Sequence, residues 1–256
     1  MTDSLVVQAT ALRALHRPGD PLVLPNAWDA GSARTVVEAG FGAVATASAA
    51  IAQSLGYADG EGTPAEEMFA AVSRIARAVT VPVTADLERG YGLPPVELVQ
   101  RLLDAGAVGL NLEDSAPSDA ALVDSQVQAE LLAEVRAAAD AAGVPIVINA
   151  RVDVFLRAYG DPAGRLDEAI RRARAYLAAG ADCVYPIVLA DPVQLRSFVE
   201  AVPGPVNVLA RPAAPTLPEL AALGVARISY GPGLYAATRA HAAHLLASVA
   251  AGGPLA

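Results

Sequence analysis

The feature that most constrains this chain is a device that it repeats. The strings "EAGFGAV", "DAGAVGL", "AAGADCV" and "ALGVARI" each end a helix-like segment at Gly, spend one or two small residues, and enter an apolar run. A Gly in left-handed conformation stops a helix, and so short a connection leaves the next strand packed on that helix. Apolar, β-rich runs recur at 22–28 (LVLPNAW), 43–48 (AVATAS), 81–88 (VPVTADLE), 108–114 (VGLNLED), 145–153 (PIVINARVD), 183–188 (CVYPIV), 205–210 (PVNVLA) and 226–231 (ARISYG). Between them lie segments such as "ELLAEVRAAADAAG" and "LDEAIRRARAYLAAG", with helical spacing of apolar residues. Strands alternating with helices pair in parallel by crossover, and this series in 256 residues predicts an α/β chain forming a single (β/α)8 TIM barrel over residues 1–256. An open doubly wound sheet is the alternative, but no strand run leads directly into G-x-G-x-x-G.

In such a barrel, the polar residues at the C-terminal ends of the strands converge on one face. The stretch "VTADLERGYG" places Asp86 and Glu88 two residues apart, on one side of a continued strand. The same parity groups Asn111 with Glu113 and Arg151 with Asn149 and Asp153, and turns Asp114 away. Three carboxylates facing one arginine do not balance, so they must protonate, stay wet or hold a cation. An all-oxygen set with His16, His241 and His244 far off in sequence suits Mg2+, with Mn2+ the alternative. Arg151, in an apolar strand, is either an ion-pair partner or a fork for a substrate carboxylate. The segments 49–63 and 115–123 read as the long loops of that face, and hence as lids.

Composition removes several classes. The net charge is −9, from 27 acidic and 18 basic residues, which gives no basic surface for nucleic acid. All the basic residues are Arg, so no lysine Schiff base can form. The single cysteine, Cys183, opens an apolar strand and reads as a core residue, which leaves no disulfide framework and fits a cytoplasmic setting. No signal peptide or membrane-length apolar run is expected, and hence no membrane partner. The turn "SYGPG" at 229–233 reads as the start of the final helix rather than a phosphate site.

Taken together and in order, "PNAWDAGSARTVVEAGFGAVATAS", "VPVTADLERGYG", "AGAVGLNLEDS", "INARVD" and "RLDEAIRRARAYLAAGADCVYP" resemble the isocitrate lyase and phosphoenolpyruvate mutase superfamily from about residue 20 to residue 235. The resemblance implies Mg2+ and a small 2-oxo or 2-hydroxy carboxylate substrate. It further implies a homo-oligomer, tetramer or dimer, in which the C-terminal helix is exchanged between subunits. By the same resemblance Asp86 is the direct metal ligand, with Glu88, Glu113 and Asp59 around the metal waters. Ser48, Ala49 and Ala50 stand at the substrate-oxygen segment, Arg151 at the substrate carboxylate, and Trp28, Tyr185 and Asn207 around the pocket. Arg151 and Ser48 are the residues assigned to catalysis.

One segment departs from the pattern. Lyases of the superfamily carry Lys-Lys/Arg-Cys-Gly-His after the fourth strand, whereas here "SAPSDAALVDSQVQ" contains no Cys, His or Lys. The Lys, Thr and Asn groups of the phosphoryl-transferring members are absent too. The expectation is therefore a Mg2+-dependent lyase that cleaves a 2-oxo acid through an enolate, decarboxylation foremost. A P–C bond enzyme and a non-catalytic 2-oxo acid binder are the alternatives. Tyr57, Tyr91 and Tyr185 are the residues available as a proton donor.

Overall fold

The computed structural model describes residues 2–117, 121–212 and 214–255. Strands β2 (Asn26–Ala27), β3 (Val44–Thr46), β4 (Val83–Asp86), β5 (Gly109–Glu113), β6 (Val147–Val152) and β7 (Cys183–Pro186) form one parallel sheet in sequence order. Strand β1 (Leu22–Leu24) pairs with β9 (Arg227–Ser229), which pairs with β8 (Asn207–Leu209). A parallel bridge between Val184 and Val206 joins β7 to β8, and β1 runs on into β2, so the ring closes. The first expected strand is thus two, divided at Pro25, whose missing N–H cannot extend a ladder.

Helices α2 (Ala30–Glu38), α4 (Ala65–Ala76), α5 (Pro95–Asp104), α6 (Ser125–Ala141), α7 (Arg165–Ala178), α8 (Pro192–Ala201) and α9 (Leu217–Ala222) fill the crossovers. Strand period places alternate residues against this outer layer: Leu110 and Leu112 of β5 and Ile148 of β6 are fully buried in one core with Leu98, Leu102, Leu132 and Val135 of α5 and α6. Truncating one of these, as in Leu98→Ala, costs about 2–5 kcal/mol through lost transfer energy and the cavity left behind. An extra helix, α1 (Thr2–Ala14), closes the N-terminal end of the barrel. Leu12 reaches within 2.9 Å of where a Cβ on Gly109 would sit, so that position admits only Gly without a shift.

The other set of alternate residues points into the barrel. The Arg227 Nη2 of β9 donates to Asn111 Oδ1 of β5 at 3.2 Å, a bond between non-adjacent strands that must cross the interior. Asn149 donates to the same oxygen at 2.8 Å. The interior is polar, where branched apolar layers are usual.

One expectation about the rim changes. The segment 49–63 is not all loop: α3 (Ser48–Leu55) begins immediately after β3 and ends at Gly56 in left-handed conformation. The other expected lid, 115–123, is described at its two ends. Ser115 bridges Leu122, and Asp124 caps α6 by accepting from Gln126 N at 2.7 Å; residues 118–120 lie outside the described residues. The turn before the last helix behaves as expected, with Gly233 opening α10 (Gly233–Ala250). No helix is long and apolar enough to cross a membrane, among the described residues.

Candidate active site

At the C-terminal rim a cavity of about 380 Å³ is lined by Ser48, Ala49, Asp59, Asp86, Glu88, Glu113, Arg151 and Tyr185 from the expected set. Asp86, the last residue of β4, is held from three sides. Its Oδ2 accepts from Ser48 Oγ at 2.7 Å and Ser48 N at 3.1 Å, and Asn111 Nδ2 approaches Oδ1 at 3.3 Å. Because Ser48 N opens α3, the positive end of that helix meets the carboxylate. The N–H of Ala49, which lines the cavity, precedes the first bond of the helix, Ile51 N to Ala47 O, and so remains available to a ligand.

Glu88 reaches the cavity by another route than strand parity. The strand stops at Asp86, and Glu88 lies in a turn with φ of 51°. Its carboxylate accepts from Tyr91 Oη at 2.7 Å and Glu61 N at 2.5 Å, while Glu61 Oε1 accepts from the backbone N of Arg89 and of Tyr91. The two acids stitch the loop after α3 to the turn after β4. Among the described residues, the five non-glycine residues with left-handed φ, namely Glu61, Glu88, Tyr91, Ala158 and Val188, lie on the cavity wall or within one residue or one hydrogen bond of it. For a β-branched residue such as Val188 that conformation is a true outlier, and strain gathered in this way marks a functional region.

Across the cavity, Arg151 forms an ion pair with Glu113 and forks onto Asp153 at 2.7 and 2.9 Å. Its Nη1 has no acceptor among the described residues. Asp153 also accepts from Ser115 Oγ at 2.5 Å, and Ser115 accepts from Arg157 Nε at 2.9 Å. Asp114, turned away as parity predicts, is buried beneath: it accepts from Tyr176 Oη at 2.7 Å, Arg172 Nη1 at 3.0 Å and Asp153 N at 2.8 Å.

Crowding shows in the acids. Burial raises Glu88 to about 7, with Asp86 and Asp59 adding repulsion against the bonds from Tyr91 and Glu61. Burial also raises Asp59, with Asp86 repelling it. Glu113 is pushed up by burial, against the pull of Arg151 and with Asp153, Asp86 and Glu88 pushing further. Tyr185 is driven up to about 12 by burial and remains a protonated donor at neutral pH.

These residues fit a hydrated divalent cation rather than a dry cage. No group of three acids converges closely enough to ligate one ion directly, among the described residues. Four carboxylates nevertheless share one cavity, and Mg2+ is commonly held by one or two carboxylates through a partly retained water shell. Asp86 Oδ1, with only a long bond from Asn111, is the oxygen best placed to touch the ion.

Three expected pocket residues stand outside the wall. Trp28 packs edge-on against Tyr235 of α10, with ring centroids 5.1 Å apart. Ala50 is fully buried inside α3, and Asn207 is buried lower in the barrel, exchanging hydrogen bonds with Ser229 at 3.2 and 3.3 Å. Of the proposed proton donors, Tyr57 is half-buried and paired with Glu67, and Tyr91 is committed to Glu88. Conversely, Glu61 and Arg157 belong to the site or its support and carried no assignment from sequence. Only "DGEG", a Glu between two glycines, offered a local signal for Glu61.

An acid-rich cavity at the C-terminal rim of a parallel barrel, with an arginine across from the acids, defines a site for a cation and a small anion. The phosphoenolpyruvate phosphomutase family model matches residues 12–250. The chain belongs to the phosphoenolpyruvate mutase/isocitrate lyase superfamily, an enzyme superfamily of lyases and mutases. It is 30% identical over 215 residues to 2-methylisocitrate lyase of Escherichia coli, covering 79% of this chain and 70% of that one. A candidate phosphonomutase of Burkholderia cenocepacia superposes with a TM-score of 0.89 at 46% identity, covering 93% of this chain and 98% of that one. A phosphonopyruvate hydrolase crystallised with oxalate and Mg2+ superposes with a TM-score of 0.83 at 27% identity, covering 96% of this chain and 88% of that one.

Proposed function

We propose that the chain is a Mg2+-dependent carbon–carbon lyase acting on a small 2-oxo carboxylate through an enolate, with decarboxylation of an oxaloacetate-like acid as its simplest reaction. The observation that carries this reading is the excess of acids in one cavity facing an arginine with a free Nη1. Asp86 would hold the cation, with Asp59, Glu88 and Glu113 around its waters, and a cation bound there would supply positive charge where the 2-oxo oxygen gains negative charge. Mn2+ is the alternative ion.

The chain's own groups do the rest. Arg151 Nη1 receives the carboxylate next to the 2-oxo group, oriented by Asp153 and Glu113. The Ala49 N–H at the start of α3 faces the same end, and Ser48 fixes Asp86. When the C3–C4 bond breaks, CO2 leaves and its bonding pair passes to C3 as the enolate. A proton then adds at C3, from Tyr185 or from water, to give the 2-oxo product. Departing CO2 needs no proton, which agrees with a loop that lacks Cys, His and Lys. A larger 2-hydroxy acid would need a general base as well.

P–C bond chemistry is the second reading, favoured by the family match and by the 46% identity to a candidate phosphonomutase. Incubation with Mg2+ and a panel of 2-oxo and phosphono acids separates the readings. Pyruvate and CO2 from oxaloacetate support the lyase, and phosphate from phosphonopyruvate supports the alternative. Tight binding without turnover leaves only a binder.

Self-association is proposed with it. Helix α10 has no buried residue along Gly233–Ala250, and Leu246 and Val249 are exposed, an apolar helix that a second copy of the chain would cover.

A further inference from the structure

The cavity holds two guanidinium groups in unlike circumstances. Arg151, on the floor, is taken up by Glu113 and Asp153 apart from one nitrogen. Arg157, on the loop after β6, lines the same cavity and forms no ion pair with any carboxylate, among the described residues. Asp59 is near enough to feel its charge. These two arginines are the only cations on the wall, among the described residues, and the side near Ile187, Val188, Leu209 and Pro232 is apolar.

Arg157 is exposed, yet it is not a loose surface side chain. Its Nε donates to Ser115 Oγ at 2.9 Å, and Ser115 Oγ donates to Asp153 at 2.5 Å, the same carboxylate that orients Arg151. Its backbone N donates to Asp153 O at 2.8 Å. The next residue, Ala158, has left-handed φ of 49° and is held by Arg165, whose Nη2 donates to Ala158 O at 2.9 Å. The loop therefore presents one edge of the guanidinium to Ser115 and leaves both terminal nitrogens without a protein acceptor, among the described residues, a bidentate fork on the wall.

We propose that Arg157 receives a second anionic group of the substrate, at the end distal to the 2-oxo carboxylate, so that the chain takes dianionic 2-oxo acids in preference to monoanionic ones. This inference rests on the 2-oxo acid reading above. It gives the two arginines separate tasks, Arg151 at the 2-oxo carboxylate and Arg157 at the distal anionic group, coupled through Asp153 and Ser115.

The test is calorimetric binding in the presence of Mg2+ to the full chain and to Arg157→Gln and Arg157→Lys. Two ligands are compared. Oxalate keeps both its charges at the Arg151 end, whereas the second carboxylate of 3,3-difluorooxaloacetate lies two carbons further along, at the Arg157 end. Arg157→Gln should weaken difluorooxaloacetate by about ten-fold or more, as loss of a charge-assisted contact does, and leave oxalate within about two-fold. Arg157→Lys should fall between, since an ammonium keeps the charge and loses the fork. Equal losses for the two ligands, or no loss for either, overturn the proposal while oxalate binding to the parent upholds the 2-oxo acid reading. Failure of the parent to bind either ligand with Mg2+ brings down that reading, and this inference with it.

Discussion

The rim and the interior of the barrel each bury a guanidinium, and they treat it in opposite ways. Arg151 at the rim sits between Glu113 and Asp153, with more acids nearby. Arg227, below it, is 1% exposed and donates to Asn111 Oδ1, while its Nε and Nη1 are buried without a partner, among the described residues. It forms no ion pair, among the described residues, and burial weakens its hold on the proton against the pull of Cys183, Tyr185 and Asp86. At the rim the charges compensate one another and leave an excess that a ligand can meet. In the interior a cation is tolerated at a cost to stability. The difference teaches that proximity to the site does not make a charged residue part of it: what counts is unspent bonding capacity that faces the cavity.

The comparison breaks first at Asp86. Asp86→Ala should abolish Mg2+-dependent oxalate binding and leave the circular dichroism spectrum unchanged, because a rim carboxylate fills no core space. Retained Mg2+-dependent binding in that variant would remove Asp86 from the metal site and leave the acid excess without its proposed purpose.

Arg151→Lys comes next. A bidentate contact to a substrate carboxylate is worth roughly 1.5–3 kcal/mol, and an ammonium cannot also serve Asp153 and Glu113. Oxalate affinity should therefore drop by about ten-fold or more with Mg2+ affinity little changed. Equal oxalate affinity in the two proteins would make Arg151 a structural partner of its acids and nothing else.

For Arg227 the expected sign is reversed. Replacing a buried, uncompensated guanidinium by an apolar side chain of similar length relieves desolvation, and Arg227→Met should stabilise the fold by about 1–3 kcal/mol. At this chain length that is a rise in Tm of several degrees. A fall in Tm would show instead that Arg227 holds Asn111, and through it Asp86, in place, and would join the two levels that the comparison separates.

How much of this was legible beforehand follows from which physics each feature depends on. The barrel was, because Gly-terminated helices and apolar strand runs are local patterns. Asp86, Glu113 and Arg151 were, because they close strands whose parity is fixed. Glu88 was placed on the correct wall for the wrong local reason: the strand ends two residues sooner, and a left-handed turn returns the side chain to the cavity. The tie between Glu61 and Glu88 joins loops 27 residues apart in sequence and has no periodicity to betray it. Arg227 was invisible in "ARISYG" because a residue's inward or outward direction in a three-residue strand depends on barrel closure. Ala50 was assigned by resemblance alone and Trp28 by resemblance and its place at a strand end, and neither is among the residues that line the cavity.

The smallest expected effect concerns the titration of the acids themselves. Glu88 has its proton affinity raised by burial from 4.5 to about 7, and burial shifts Asp59 in the same direction. A carboxyl whose value is raised in the folded state favours folding fully below its unfolded value. That contribution is lost as pH rises through the folded value, since the folded chain must then ionise a buried group. Without divalent cation, Tm should therefore decline by a few degrees between about pH 5 and pH 8. Mg2+ should offset the decline, and its stabilisation should grow across the same window, because it binds the ionised acids. Glu88→Gln keeps the bond from Glu61 N and removes the titration, so it should flatten the slope without Mg2+. Thermal melts across that range with and without Mg2+ decide the matter. A flat profile in the parent would mean that the rim acids are as well solvated as ordinary surface carboxylates, and that their number alone creates no demand for a cation.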